Sequence, residues 1–237
     1  MCHFYLPYKN FLGKIKDVMI SFVNVFVKYT KEYYALSSIN FDIATGETVA
    51  FVGPKDSGKT CIMRLIAGLE KQDKGEIFIK DIPLDRIDYR TDISMGYLPY
   101  KTIFLDKKSV YDNLKYVLDI RSTNHEAIEE KINKAIIDFK LENIVSEKIY
   151  KLTNYQKYLV SLARLSFRKL DILLVDNIFE ELSSSEVKEI LKLIKKYLVK
   201  TDTTLLVATS SDEIADKLEG RHIYLKNGAI VEKEDQA

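Results

Sequence analysis

The chain has 237 residues, 46% of them hydrophobic and 30% charged, with a formal net charge of +1. That length buries one substantial core with room for an attached lobe, and the interspersed charge creates no global positive field that calls for nucleic acid. No apolar run approaches the ~18 residues needed to cross a bilayer, and residues 1–17 lack the uninterrupted apolar stretch of a signal peptide.

Residues 1–18 read as an N-terminal extension, either disordered or a mis-assigned start. Its aromatic and aliphatic residues, mixed with Lys9, Lys14 and Lys16, also suit a patch resting on a membrane or partner. Ile20 to Val27 and Ser38 to Ile43 are β-branched and aromatic runs that predict strands, followed by a turn at Gly46. Thr48 to Val52 predicts a short buried strand, and Cys61 to Ala67 has helical spacing ended by Gly68. Between them stands Gly53-Pro54-Lys55-Asp56-Ser57-Gly58-Lys59-Thr60. This satisfies G-x-x-x-x-G-K-[ST], the loop whose backbone amides, lysine and hydroxyl hold a nucleotide's phosphates and its magnesium. Strand, glycine loop and helix occur in the order that function requires.

Further along, Gly75 to Ile79 and Ile93 to Leu98 predict strands, the second ending at Pro99. From Ser109 the apolar spacing lengthens to three and four residues, so residues 109–168 should be mainly helical and form a lobe. Leu170 to Val175 returns to a buried-strand pattern ending in Asp176, an acid at the carboxyl end, where open parallel sheets bind ligands. A helix over Ser184 to Leu198, a strand over Thr203 to Ala208, a short helix over Asp212 to Leu218 and a hairpin over Ile223 to Val231, turning at Asn227-Gly228, complete the chain. Cys2 and Cys61 lie in unlike contexts, which favours a reducing compartment over a disulfide. His125 and His222 have no ligand-spaced partners and read as surface residues, His222 just before a strand.

Taken together, the phosphate loop, Gly46-Glu47-Thr48-Val49-Ala50 before it, Arg64-Leu65-Ile66-Ala67-Gly68-Leu69 after it and Leu173-Leu174-Val175-Asp176 resemble the nucleotide-binding domain of the ATP-binding cassette family. The resemblance runs from about Met19 to Lys233 and implies one such domain over 19–237. It implies an α/β P-loop NTPase fold with a mixed sheet core, an N-terminal antiparallel β subdomain and a helical lobe at about 109–168. By the same resemblance the ligands are ATP and Mg²⁺, and the place is the cytoplasmic face of a membrane, as a peripheral subunit. The partners are a membrane-spanning transporter chain and a second cassette, in a homodimer or a heterodimer, with no nucleic acid expected. Gly53, Pro54, Lys55, Asp56, Ser57, Gly58, Lys59, Thr60 and Cys61 are the expected nucleotide-binding residues, with Tyr29 stacking on adenine and Tyr33 and Tyr34 as rivals. Thr60 and Asp176 are the expected metal residues.

The chain also departs from that family at positions that carry chemistry, as a degenerate member would. Asn177 stands where a glutamate deprotonates the attacking water; a carboxamide can hydrogen-bond water but cannot take its proton. Ser210 stands where a histidine contacts the γ-phosphate, Tyr100 where a glutamine links nucleotide to transporter, and Ser183 where an aspartate crosses the dimer. The signature Leu-Ser-Gly-Gly-Gln reads Leu152-Thr153-Asn154-Tyr155-Gln156, so an amide and a ring replace two glycines and should obstruct close approach of a partner's nucleotide. Asp56 brings a carboxylate into the anion-binding loop, which should weaken binding without abolishing it. Slow or absent hydrolysis is the expectation. The alternatives are a non-hydrolysing regulatory or scaffold subunit with a structural ATP site, a family member acting on ribosomes or DNA, and an unrelated P-loop kinase.

Overall fold

The computed structural model describes residues 17–30, 33–120 and 125–236. Most of the expected extension, and Cys2, therefore lie outside the described residues. Two sheets carry the architecture. In the first, β1 (Val18–Lys28), β2 (Tyr34–Ala44), β4 (Lys74–Ile79) and β5 (Ile82–Pro83) pair antiparallel in the order β2-β1-β4-β5. In the second, β3 (Thr48–Val52), β6 (Met95–Pro99), β7 (Ile172–Asp176), β8 (Thr204–Thr209), β9 (Arg221–Lys226) and β10 (Ala229–Val231) run β10-β9-β3-β8-β7-β6, parallel except for the β10 edge. The fold is the mixed α/β P-loop NTPase class with an antiparallel N-terminal sheet.

The central strands are apolar on both faces because each face is covered. One face, with Phe51, Leu174 and Leu206, shares a core with the antiparallel sheet and with α1 (Lys59–Ile66), whose Ile62, Met63, Leu65 and Ile66 are buried. The other face, with Val52, Val175 and Val207, packs under α2 (Val110–Asp119), α3 (His125–Asp138), α4 (Asn154–Leu165) and α5 (Ser184–Leu193). Between α3 and α4 the chain is not helical apart from a 3₁₀ turn at Ile149–Lys151. The helix expected over Ser184 to Leu198 is instead α5 followed by a π turn, Ile194–Leu198. His222 lies inside β9 rather than before it, part-buried beside the Tyr224 hydroxyl, which it meets at 3.3 Å, so it is not the surface residue expected. Short α6 (Asp212–Asp216) follows β8. No helix among the described residues is long and apolar enough to cross a membrane.

Parallel register sets the site. Val52 is opposite Thr209, Asp176 opposite Ala208, and Pro99 opposite Asp176, so the carboxyl ends of β3, β8, β7 and β6 are level. The residues that follow them converge on one rim, where open α/β sheets place ligands.

Candidate functional site

Past β3 the chain turns through Gly53 to Gly58 and enters α1, with Asp56 at φ 63° and Gly58 at φ 107°. Aspartate is among the residues that tolerate the left-handed region, which accounts for its place in the loop. Gly58 has a stricter reason: a Cβ there would lie 2.7 Å from Leu36 Cδ2. The loop is held from behind, because the Gly228 amide of the β9–β10 turn donates to the Ser57 carbonyl at 3.1 Å. No side chain caps the start of α1 and its first turn has no acid, so its unpaired amides face the loop's mouth, an arrangement that favours an anion.

Lys59 is buried, and its ammonium donates to the Gly53 and Pro54 carbonyls, each at 2.7 Å, and to Ser57 Oγ at 3.2 Å. Burial lowers its pKa, against the opposing pull of Glu180, Asp176 and Asp56. Thr60 Oγ1 donates to Asp176 Oδ1 at 2.9 Å, which joins the loop to the end of β7. The other carboxylate oxygen accepts from the Tyr97 hydroxyl at 2.9 Å. Burial raises the Asp176 pKa, partly offset by those two hydrogen bonds and by Lys59. Its carboxylate is thus a costly buried anion that a cation would relieve.

Asn177 sits at φ 52°, with Nδ2 3.2 Å from Thr60 Oγ1 and 3.1 Å from Asp176 Oδ1. Its Oδ1 is buried with no hydrogen-bond partner, the only such side-chain atom among the described residues. Thr60 Oγ1 and the Asp176 carboxylate are hard oxygens, joined by a hydrogen bond, that fit Mg²⁺. No cluster of three or more His, Cys, Asp or Glu residues occurs among the described residues, so phosphates and water would complete the shell, as is usual for this ion.

The other predicted residues fall around this rim. Lys55 is exposed within the loop; Cys61 is a half-buried free thiol whose pKa burial drives up, so it is a packing group. Tyr29 is 83% exposed just past β1, its amide donating to the Tyr33 carbonyl at 2.8 Å. Tyr33 is similarly exposed, whereas Tyr34 is engaged with Phe26 and Lys28. Ser183 caps α5 in a reciprocal pair with Glu186.

The signature segment forms the entry to α4. Leu152 is buried, and Thr153 and Gln156 cap the helix reciprocally, the Gln156 amide to Thr153 Oγ1 at 3.2 Å and the Thr153 amide to Gln156 Oε1 at 3.0 Å. The Tyr155 ring turns inward and packs against the lobe's core, so the obstruction expected from its bulk narrows to Asn154. Asn154 Nδ2 donates to Glu181 Oε2 at 2.6 Å, and Tyr100 OH donates to Glu181 Oε1. The Tyr158 hydroxyl in turn donates to the Tyr100 carbonyl at 3.0 Å. Two separate departures from the family pattern, Tyr100 and Asn154, are thereby one latch, tying the end of β6 and the start of α4 to the loop after β7.

Glu181→Ala severs that latch. Each lost bond removes roughly 1 kcal/mol of local stability, so amide exchange at residues 100–105 and 153–157 should quicken about fivefold or more, with the sheet unchanged. Unchanged exchange in both segments would show the latch to be idle. Tyr97, Glu180 and Glu181 belong to the site but escape a reading of the sequence. The acid pair directly after Phe179 is the one local signal for two of them.

Comparison with known proteins agrees with this geometry. Residues 36–180 match the family described as ABC transporter. A sulfate/thiosulfate import ATP-binding protein of Anthoceros angustus is 28% identical over 200 residues, 84% of this chain and 52% of its own length. A spermidine/putrescine import ATP-binding protein of Mycoplasma capricolum is 28% identical over 209 residues, 85% of this chain and 58% of its own. The chain thus spans little more than half the length of these relatives. An ATP-binding cassette solved as a dimer in a post-hydrolysis state with ADP and Pi superposes with a TM-score of 0.80 at 26% identity, over 90% of this chain and 97% of that one. Since the family model matches residues 36–180, more than half of the chain, and the solved cassette superposes over 90% of it, the chain belongs to the ABC transporter family, of which it carries the ATP-binding domain.

Proposed function

We propose that this chain is the ATP-binding subunit of a membrane transporter, that it binds Mg-ATP at Lys59, Thr60 and Asp176, and that it hydrolyses the nucleotide slowly. The observation that carries the proposal is the Thr60–Asp176 hydrogen bond with Asn177 folded against it. Phosphate- and metal-holding groups are assembled there while the adjacent side chain is a carboxamide. Lys59 exchanges the loop's carbonyls for the β- and γ-phosphates, the amides of the loop and α1 cradle the remaining oxygens, and Tyr29 stacks on the base. Thr60 and Asp176 would hold the magnesium ion, which would supply neutralisation of the phosphate charge, and the Asn177 amide lies against both residues. Because Asn177 cannot take a proton, the step that activates water lacks its usual adjacent acceptor, a deficit of roughly 10² to 10⁴ in rate.

A second cassette, identical or different, completes each site across a dimer, a reading supported by the solved relative's being dimeric. The membrane-spanning chain docks at an open groove of about 300 Å³ between the end of β6 and α4, lined by Leu98, Thr102, Ile103, Val117 and Leu165 among others. In this reading the subunit is peripheral, on the cytoplasmic face. Relatives named as import ATP-binding proteins favour uptake as the direction. The Glu181 latch favours a second reading, a regulatory subunit whose lobe is fixed without nucleotide and which never turns over. Calorimetric titration with Mg-ATP, followed by phosphate release from the same sample, separates them. Saturable binding with slow release is expected; binding with none supports the regulatory reading, and no binding overturns both.

A further inference from the structure

Besides Asp176, a second carboxylate stands at the same rim as Asn177. Glu180 follows β7 in the loop that leads to α5, is exposed, and accepts from Ser210 Oγ at 3.2 Å. Ser210 itself follows β8, so two strand ends deliver the pair. With Lys55 and Thr209 they line an open cavity of about 520 Å³ beside the phosphate loop. Among the acids acting on the buried Lys59 ammonium, Glu180 exerts the largest pull, ahead of Asp176 and Asp56. Asp176 is committed to Thr60 and Tyr97, whereas Glu180 makes this one bond to an exposed serine. An exposed carboxylate that lines the cavity beside the phosphate loop and acts on the Lys59 ammonium is either a base or an electrostatic brake.

We infer that Glu180 is the general base for ATP hydrolysis in this chain, with Ser210 as its positioning residue and Asn177 orienting the water. The inference rests on the ATP-binding reading above. Asn177 Oδ1, the orphaned acceptor, takes a hydrogen bond from the attacking water, and the Glu180 carboxylate removes the water's other proton. The water oxygen forms its bond to the γ-phosphorus as the bond from that phosphorus to the bridging oxygen breaks, leaving the electron pair on ADP. Glu180 then returns its proton to solvent, so that water and ATP become ADP and phosphate with nothing else consumed. Splitting orientation and proton transfer between two side chains from different parts of the loop loosens the alignment, which accounts for turnover that is slow without being absent.

Two measurements on Glu180→Gln test this, with circular dichroism to confirm that the exposed substitution leaves the fold intact. Steady-state kcat should fall by about 10²-fold or more while the KM for ATP does not rise. Calorimetry should show Mg-ATP binding tightened by about threefold or more, and Mg-ADP by less, since a negative charge near the γ-phosphate has gone. Glu180→Asp should keep part of the rate, Ser210→Ala should lower it by a smaller factor than Glu180→Gln, and Asn177→Glu placed in the Glu180→Gln background should restore turnover. Turnover of Glu180→Gln equal to or faster than the parent's overturns the assignment, the faster case identifying a brake. A parent chain that binds Mg-ATP yet releases no phosphate at any protein concentration also overturns it. Failure to bind Mg-ATP is a separate result and removes the ATP-binding reading itself.

Discussion

Replacing Lys59 with alanine is expected to abolish the thermal stabilisation that Mg-ATP gives the parent chain. At a nucleotide concentration of about 100 times Kd, linkage adds ~2.7 kcal/mol to the folded state, which raises Tm by about 5–10 °C for a chain of this size. The ammonium makes charge-assisted bonds to phosphate oxygens worth about 1.5–3 kcal/mol each, so losing two of them weakens binding by about 10²-fold or more. The same ligand concentration then falls below saturation and the shift disappears. A variant that still gains the parent's shift would place the nucleotide elsewhere.

The melting temperature without ligand is not the quantity to watch. Lys59 has a folded pKa depressed by burial, so the stability it contributes is present only above its unfolded pKa and is lost as pH falls through the folded value. At neutral pH the buried charge therefore opposes folding. Its three hydrogen bonds to Gly53, Pro54 and Ser57 act the other way, and alanine strands those acceptors. The two effects partly cancel, and only the ligand-dependent part isolates phosphate binding. Lys59→Met, which keeps more of the stem's packing, should reproduce the loss.

How much of this was legible in the sequence follows from how far apart the partners lie along the chain. The phosphate loop is contiguous, its glycines answer local geometry, and the flanking strand and helix have clean apolar periods, so Gly53 to Thr60 could be placed directly. Asp176 was readable because a buried parallel strand announces its own carboxyl end. The latch was not: Tyr100 and Glu181 are 81 residues apart, and Asn154 and Glu181 are 27 apart. No local propensity couples them. Residue by residue, Tyr100 and Asn154 looked like independent losses, whereas packing joins them through one carboxylate.

Tyr155 shows the same limit in the opposite sense. Its size predicts obstruction, but the position lies on the face of α4 that the lobe buries, and the ring goes there. The edges of elements depart from the sequence expectation where backbone pairing decides them. His222 is taken into β9 because the strand pairs with β3 from Arg221 onward, His222 lying opposite Ala50. The turn after α5 is π rather than α, with Val199 donating to the Ile194 carbonyl at 3.0 Å, a difference too local for a helical period to register.

Asn177→Glu is expected to raise the steady-state rate by about 10- to 100-fold, and the structure sets both the gain and its cost. The position adjoins Asp176 and its side chain already reaches Thr60, so a carboxylate there stands against the two residues that would hold the metal, whereas Glu180 is bonded to Ser210. A base held next to the reacting water needs less reorganisation than one shared between two loop residues, hence a faster step. In the empty protein, however, the substitution loses two hydrogen bonds from Nδ2 and sets a second acid against the buried Asp176 carboxylate. The ligand-free variant should melt below the parent, and Mg²⁺ with ATP should recover more Tm in the variant than in the parent, because the ion relieves two carboxylates instead of one. The backbone at φ 52° also disfavours glutamate relative to asparagine, which adds to the deficit without ligand. A variant that melts lower and gains stability from Mg-ATP yet hydrolyses no faster would show that proton transfer is not the slow step. The remaining departures at Asn154 and Tyr100 would then limit closure of the composite site, and Glu181→Ala added to Asn177→Glu should release the rate.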